Sequence, residues 1–289
     1  MWVTYSILTA LFESLKDVAS KAGLLSLNEY TMAWGLRIFS LPVLIPLLLL
    51  QGLPRFSPSF LPALLVGGSL NILATVLFLK SLKHSDMSLC VPLVAFTPVF
   101  LLLTSPVMLG EWPSVQGVVG VLLIVSGSYI LNAAGNTGGW TRPFVSLFRE
   151  KGPRTMLVVA FIWSITSNID KIGITGSSIV AWIVAVNLFA GLLLWPVAHR
   201  RLRGGCIDRR GVLILIAAGL LAAVRSLFQM AALTLSLVAY VISIKRTSAL
   251  FTIAFAGLFF KEKGIGYRFL GGVIMITGVF LILTGPTPR

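Results

Sequence analysis

Charge is scarce in this chain, and acidic charge is scarcest. Only 11% of its 289 residues are Asp, Glu, Lys or Arg, with nine acids against 23 bases. Soluble domains carry about 25% charged residues, so a water-exposed globular surface is excluded. Cysteine is limited to Cys90 and Cys206, without CxxC spacing, which excludes a disulfide framework or a thiolate metal site. The two histidines, His84 and His199, have no metal-ligand spacing, so no metal or other cofactor is expected. Neither a G-x-S-x-G elbow nor a glycine-rich phosphate loop is present, so no enzyme is expected. The N-terminus lacks a basic n-region, and Glu13, Lys16 and Asp17 interrupt its first apolar run, which argues against a cleaved signal peptide. The net charge of +14 would point to nucleic acid in a soluble protein. Here the positive charges fall in short loops between apolar runs, no solvated basic face exists, and nucleic acid is not an expected partner.

Apolar sequence is abundant instead. The chain is 57% hydrophobic with a mean hydropathy of +0.96, more apolar surface than a protein core can absorb. Ten runs are long enough to cross a bilayer as helices: about 2–21, 31–50, 60–80, 88–109, 115–132, 155–174, 179–198, 212–233, 237–260 and 266–284. Breakers such as Gly52 and Pro54, Asp86, Pro113, Gly204 and Gly264 separate them. The expected class is an all-α polytopic membrane protein with ten transmembrane helices.

The two halves repeat. Glu111 and Glu262 are 151 residues apart, and the same offset carries Gly68 onto Gly219, Phe100 onto Phe251, Gly120 onto Gly271 and Gly127 onto Gly278. Lys21 falls on Lys171 at an offset of 150. The units are 1–132 and 155–289, joined by a Gly-, Pro- and Arg-rich linker at 133–154. Within it, 140–151 reads either as a short amphipathic helix on the headgroups or as plain linker. Five crossings are an odd number, so the second unit must be inverted relative to the first. Inverted repeats are an architecture of secondary transporters, with the site near the midplane between them.

Loop charges sort by side. Lys80, Lys83, Arg142, Arg149, Arg200, Arg203 and Lys263 share one side, whereas Arg55, Lys171 and Arg289 share the side of both termini. The positive-inside rule puts both termini outside a plasma (inner) membrane, and the basic loops also suit contact with lipid headgroups.

Ionisable groups inside spans are costly and are functional candidates. Glu13 and Asp17 share a face of the first span, with Lys16 beside it, and are candidates for proton coupling or gating. Arg37 in span two either serves the site or forms a structural pair with Asp17. Arg225 has no acid in its own span, so its partner comes from another helix, a substrate or water. Lys245 and Arg246 are adjacent, about 100° apart on a helix, so only one is expected to face a cavity squarely. The repeat mates of Arg225, Lys245 and Arg246 are Ala74, Val94 and Ala95, which makes the site asymmetric. Asp170 and Lys171 read as interfacial. The surplus of cations points to an anionic or zwitterionic small-molecule substrate held by Arg225, Lys245, Arg246 and Arg37. Should these cations instead pair with acids and carbonyls at a rim, they would never touch substrate.

Gly120 and Gly127, like Gly271 and Gly278, put small residues on one helix face, suited to close packing or to a homodimer contact. Pro98 and Pro106 can kink span four, while Ala249 stands where Pro98 would repeat.

The stretch Pro98, Glu111, Gly120, Gly127 resembles the end of an EamA repeat of the drug/metabolite transporter superfamily. Lys261-Glu262, Gly271 and Gly278 repeat it, and Trp163-Ser164 to Lys171 resembles a repeat opening. The resemblance implies ten helices, an inverted pseudo-twofold and alternating access around a central cavity. It does not name a substrate. Many proteins of this pattern have cytoplasmic termini, against the charge bias here. A flippase for lipids or lipid-linked headgroups is the alternative, since basic groups at membrane depth also suit phosphates.

Overall fold

The computed structural model describes residues 1–84, 92–133, 145, 150–202, 208–252 and 265–285. These form helices α1 (Trp2–Gly23), α2 (Glu29–Ile38), α3 (Leu41–Gln51), α4 (Phe60–His84), α5 (Thr97–Leu109) and α6 (Val115–Ala133). The second half adds α7 (Lys151–Thr175), α8 (Ile179–Leu202), α9 (Arg209–Leu235), α10 (Val238–Lys245) and α11 (Ile265–Thr284). Most of the linker, Cys90, Cys206 and Glu262 lie outside the described residues.

Polarity is arranged for a bilayer. Leu50, Leu103, Val107, Leu192, Ile276 and Phe280 are exposed, whereas Ser14, Ser105, Ser164, Asn168 and Ser243 are fully buried. Several buried hydroxyls are satisfied along their own helices, as Thr9 Oγ1 donates to the Tyr5 carbonyl at 2.8 Å and Ser243 Oγ to the Ala239 carbonyl at 2.6 Å. Six stretches among the described residues are long and apolar enough to cross a membrane: Glu29–Gln51, Phe60–Ser81, Pro92–Leu109, Lys151–Thr175, Ile179–Arg200 and Arg209–Leu235. α1 is long enough but is interrupted by its charged cluster, and the apolar windows of α6 and α11 are shorter.

Among the described residues three of the predicted spans are interrupted. α2 and α3 are halves of one span, parted at Phe39–Ser40; Pro42 cannot donate a helical bond to the Ile38 carbonyl. In span four the break at Ala95–Phe96 has the same cause. Pro98 has no N–H for the Val94 carbonyl, and Thr97 Oγ1 donates to that oxygen instead, at 2.8 Å. Span nine breaks at Arg246–Thr247, the positions 151 residues on, although Ala249 replaces the proline. There the chain turns through three-residue bonds, Arg246 N to Ser243 O at 2.9 Å and Thr247 N to Ile244 O at 2.9 Å. The paired break thus survives the loss of one proline.

The packing joins the halves. α1 packs on α9, α4 on α7, α2 on α8, α5 on α10 and α6 on α11. The repeated glycines carry the last contact. A Cβ on Gly127 would come within 2.6 Å of the Gly271 carbonyl, and one on Gly278 within 2.6 Å of the Gly120 carbonyl. Of the two roles expected for this spacing, packing within one chain is the one these faces fill.

One end of the bundle is latched. Lys171 Nζ, from α7, donates to Glu111 Oε1 at 2.5 Å and to the Ser236 carbonyl at 2.7 Å. Glu111 Oε2 accepts from Val238 N at 2.8 Å, capping the free N-terminus of α10. Ser57 N also donates to the Gly176 carbonyl at this end, at 2.8 Å.

Candidate functional site

Between the halves lies a cavity with about 120 Å³ open to the centres of water molecules. Its wall repeats with the sequence. α1 contributes Glu13, Lys16, Asp17 and Ser20, and α7 contributes Trp163, Thr166, Ser167 and Asp170, each 150 residues from its counterpart. α4 contributes Asn71, Thr75, Phe78 and Leu79, and α9 contributes Ala222, Ser226, Gln229 and Met230, each 151 residues apart. Spacings of three and four keep each set on one helix face.

All seven charged residues singled out in the sequence line this cavity: Glu13, Lys16, Asp17, Arg37, Arg225, Lys245 and Arg246. Glu13 is the hub. Its Oε1 lies 3.1 Å from Lys16 Nζ and 3.5 Å from Lys245 Nζ, and its Oε2 lies 3.4 Å from Arg225 Nε. Lys16 also pairs with Asp17 at 2.8 Å. Arg225 spends its remaining donors within α9, on Gln229 Oε1 at 2.8 Å and Ser226 Oγ at 2.9 Å.

Arg37 does not pair with Asp17. It donates to Asn71 Oδ1 at 2.5 Å and Thr75 Oγ1 at 3.1 Å, because α2 turns it toward α4 while Asp17 is held by its own helix neighbour. Lys245 and Arg246 both reach the cavity, contrary to the angular expectation. α10 ends between them, and the turn frees Arg246 from helical spacing. The helix C-terminus there also favours positive charge. Arg246 Nη2 donates to Thr97 Oγ1 at 2.7 Å, across to the other broken span, and its buried Nε has no hydrogen-bond partner among the described residues.

Asp170 is not interfacial. It is 7% exposed, lines the cavity, and accepts the Trp182 indole N–H on Oδ1 at 2.9 Å. Asp170 does stand near the end of its span, five residues before α7 ends at Thr175, but it lies on the face of α7 that lines the cavity with Trp163, Thr166 and Ser167. The signal that could have found it was its register with Glu13, Lys16 and Asp17. The repeat mates Ala74 and Val94 lie in an apolar cluster with Leu93, Met156 and Val159, and Ala95 is buried beside Val94 in the chain, so one half builds core where the other builds site. Among the described residues no group of His, Cys, Asp and Glu could hold a metal ion.

The model of the EamA-like transporter family matches residues 1–133 and 151–284. The chain belongs to that family. An uncharacterized transporter of Archaeoglobus fulgidus is similar along its whole length, 22% identical over 294 residues and covering 98% of each chain. A crystal structure matches with a TM-score of 0.71 over 97% of this chain and 94% of that one, at 14% identity, a likeness of fold alone. This EamA-family chain is accordingly an integral membrane protein and a membrane transporter.

Proposed function

We propose that the chain is a secondary active transporter of a small anionic or zwitterionic metabolite. It works by alternating access between two inverted five-helix units, 1–132 and 155–289, in the plasma (inner) membrane with both termini outside. Two observations support the inverted arrangement. The cavity wall is built from repeat-equivalent positions, and span one packs on span eight as span six packs on span three. Paired mid-span breaks leave polar helix ends at the cavity, as in other inverted-repeat transporters.

The observation that carries the substrate class is charge. Lys16, Arg37, Arg225, Lys245 and Arg246 face Glu13, Asp17 and Asp170. Three of these cations share carboxylates of α1, whereas among the described residues Arg37 and Arg246 donate to neutral oxygens and close no ion pair. A buried charge without a counter-charge costs several kcal/mol, and an anionic substrate supplies the missing one. Arginine can hold a carboxylate or phosphate bidentately, and Lys245 adds a point charge. Glu13, Lys16 and Asp17 form the coupling or gating cluster, since carboxylates already paired with the binding cations respond when substrate takes those cations over.

Uptake by proteoliposomes of labelled small anions and zwitterions tests this reading, beside a lipid-scrambling assay on the same vesicles. Uptake that falls by about tenfold or more in Arg225→Ala, Lys245→Ala and Arg246→Ala, at normal folded yield, is the expected result. Unchanged uptake in all three variants, uptake of cations alone, or scrambling without uptake overturns it. A Glu13→Gln, Asp17→Asn double variant with wild-type pH dependence would remove the coupling role.

A further inference from the structure

Asp170 is the cavity carboxylate that closes no ion pair among the described residues. Glu13 and Asp17 are each within ion-pair distance of a lysine or arginine, but among the described residues none lies within 4.0 Å of Asp170. Its partner is the neutral Trp182 indole on Oδ1 at 2.9 Å. Trp182 is its one hydrogen-bond partner among the described residues, and Asp170 lines the cavity. A carboxylate that is nine-tenths buried and half satisfied is costly to keep, unless something entering the cavity completes it.

The support around Asp170 is rigid. Trp182 is fully buried, and its ring lies so close over Gly173 that any side chain there would overlap it. Phe60 meets the other part of that ring edge-on at 5.8 Å. The indole N–H therefore fixes one carboxylate oxygen and holds the other toward the cavity, as a preorganised acceptor. The same cavity contains the opposite imbalance, in the guanidiniums of Arg37 and Arg246. Charges of both signs thus face one another across one small space, with no ion pair closed between them among the described residues.

We propose that Asp170 recognises a protonated amine of the substrate, so that the substrate is a zwitterion and not a simple anion. The ammonium donates to Oδ2 of Asp170, while the substrate's carboxylate, phosphate or phosphonate meets Arg37 and Arg246. This rests on the anion-binding reading above and narrows it. A cavity of about 120 Å³ for water centres limits the occupant to a small molecule.

Two matched series separate the possibilities by isothermal titration of the purified full chain in detergent at neutral pH. One comprises 3-aminopropylphosphonate, 3-hydroxypropylphosphonate and butylphosphonate, and the other 4-aminobutyrate, 4-hydroxybutyrate and pentanoate. In at least one series the amine is expected to bind wild-type protein about tenfold or more tightly than both analogues, the scale of a charge-assisted hydrogen bond. Asp170→Asn keeps an acceptor for Trp182 and is expected to collapse that preference to near one. Equal binding of amine, hydroxyl and methyl members overturns the inference while leaving the anion site standing. A preference that persists in folded Asp170→Asn overturns it as well. Binding of no member in either series counts against both readings. The wild-type comparison alone decides the matter if the variant does not fold.

Discussion

Glu13 shows how one residue can organise a site it does not dominate by charge. A single carboxylate faces Lys16, Lys245 and Arg225, from three different helices, so it holds α1, α9 and α10 in register around the cavity. Removing it leaves Lys245 and Arg225 without their carboxylate, beside a Lys16 held by Asp17 alone. We expect Glu13→Gln to lose about 3 kcal/mol of stability, as for one partner of a buried pair. Added inorganic phosphate is expected to restore more of the melting temperature of the variant than of wild type, because an anion that binds the native state raises apparent stability. Melting curves with and without phosphate check this, and equal phosphate shifts in the two proteins would contradict it. Asp170 teaches the converse lesson. Its neighbourhood is made by Trp182, twelve residues further on and in the next helix, so within the sequence only its register with the charged face of α1 marks it as a cavity residue.

At the scale of elements, breaks and close approaches decide where side chains go. The N-terminus of α10 is built by another unit's loop. Glu111 accepts from Val238 N, and Lys171 ties that carboxylate to the Ser236 carbonyl. Lys171→Met leaves the Glu111 carboxylate without its counter-charge and the Ser236 carbonyl without its donor, and a loss of roughly 3 kcal/mol is expected. Lys171→Met with Glu111→Gln should recover part of it, since no charge is then left unpaired. Thermal melts of the single and double variants measure the difference. Glycine acts here in two distinct ways. Gly127→Ala would drive a Cβ toward backbone atoms of α11, with the Gly271 carbonyl at 2.6 Å and Met275 N at 2.9 Å. Backbone cannot rotate aside, so a cost of roughly 1–3 kcal/mol is expected. Gly52→Ala meets nothing within 4 Å, and only its φ of +77° opposes it, for about 1 kcal/mol. Melting temperatures falling in the opposite order would refute the packing role of Gly127.

Among the described residues the molecule turns large apolar side chains outward, as well as packing them in its core, and keeps polar ones such as Asn168 and Gln229 inside, the inverse of a soluble surface. That inversion follows from a solvent that offers no hydrogen bonds. Its ends differ. Trp2 stacks near Tyr240, the Ser57–Gly176 bond joins two loops, and the Glu111–Lys171 latch closes the same end, which carries few basic residues. The opposite end carries Lys80, Arg154, Arg200, Arg209 and Arg210. The proposed orientation follows, with the latched end and both termini outside. A phosphatase fused after Arg289, active only outside the cytoplasm, is expected to be active, and a fluorescent reporter that matures only in the cytoplasm is expected to stay dark. The reverse pattern would invert the orientation and the sense of the latch.

Hydropathy and the 151-residue offset, both local in the chain, were enough to mark a helical membrane protein of two like halves, because a bilayer imposes length and apolarity on each crossing separately. They also exposed Glu13, Lys16, Asp17, Arg37, Arg225, Lys245 and Arg246, since a charge inside an apolar run is visible without any partner. Which of these charges pair depends on distances between helices, and those are set by packing. The Arg37–Asp17 pairing failed for that reason, as Lys16 lies nearer to Asp17 and Asn71 nearer to Arg37. Helical geometry allowed only one of Lys245 and Arg246 to face inward, but α10 stops between them, and no proline announces it. Asp170 reads as a residue near the end of a span until α8 brings the Trp182 indole against it. A single helix can show that a charge is buried in the membrane; only neighbouring helices decide whether that charge is answered.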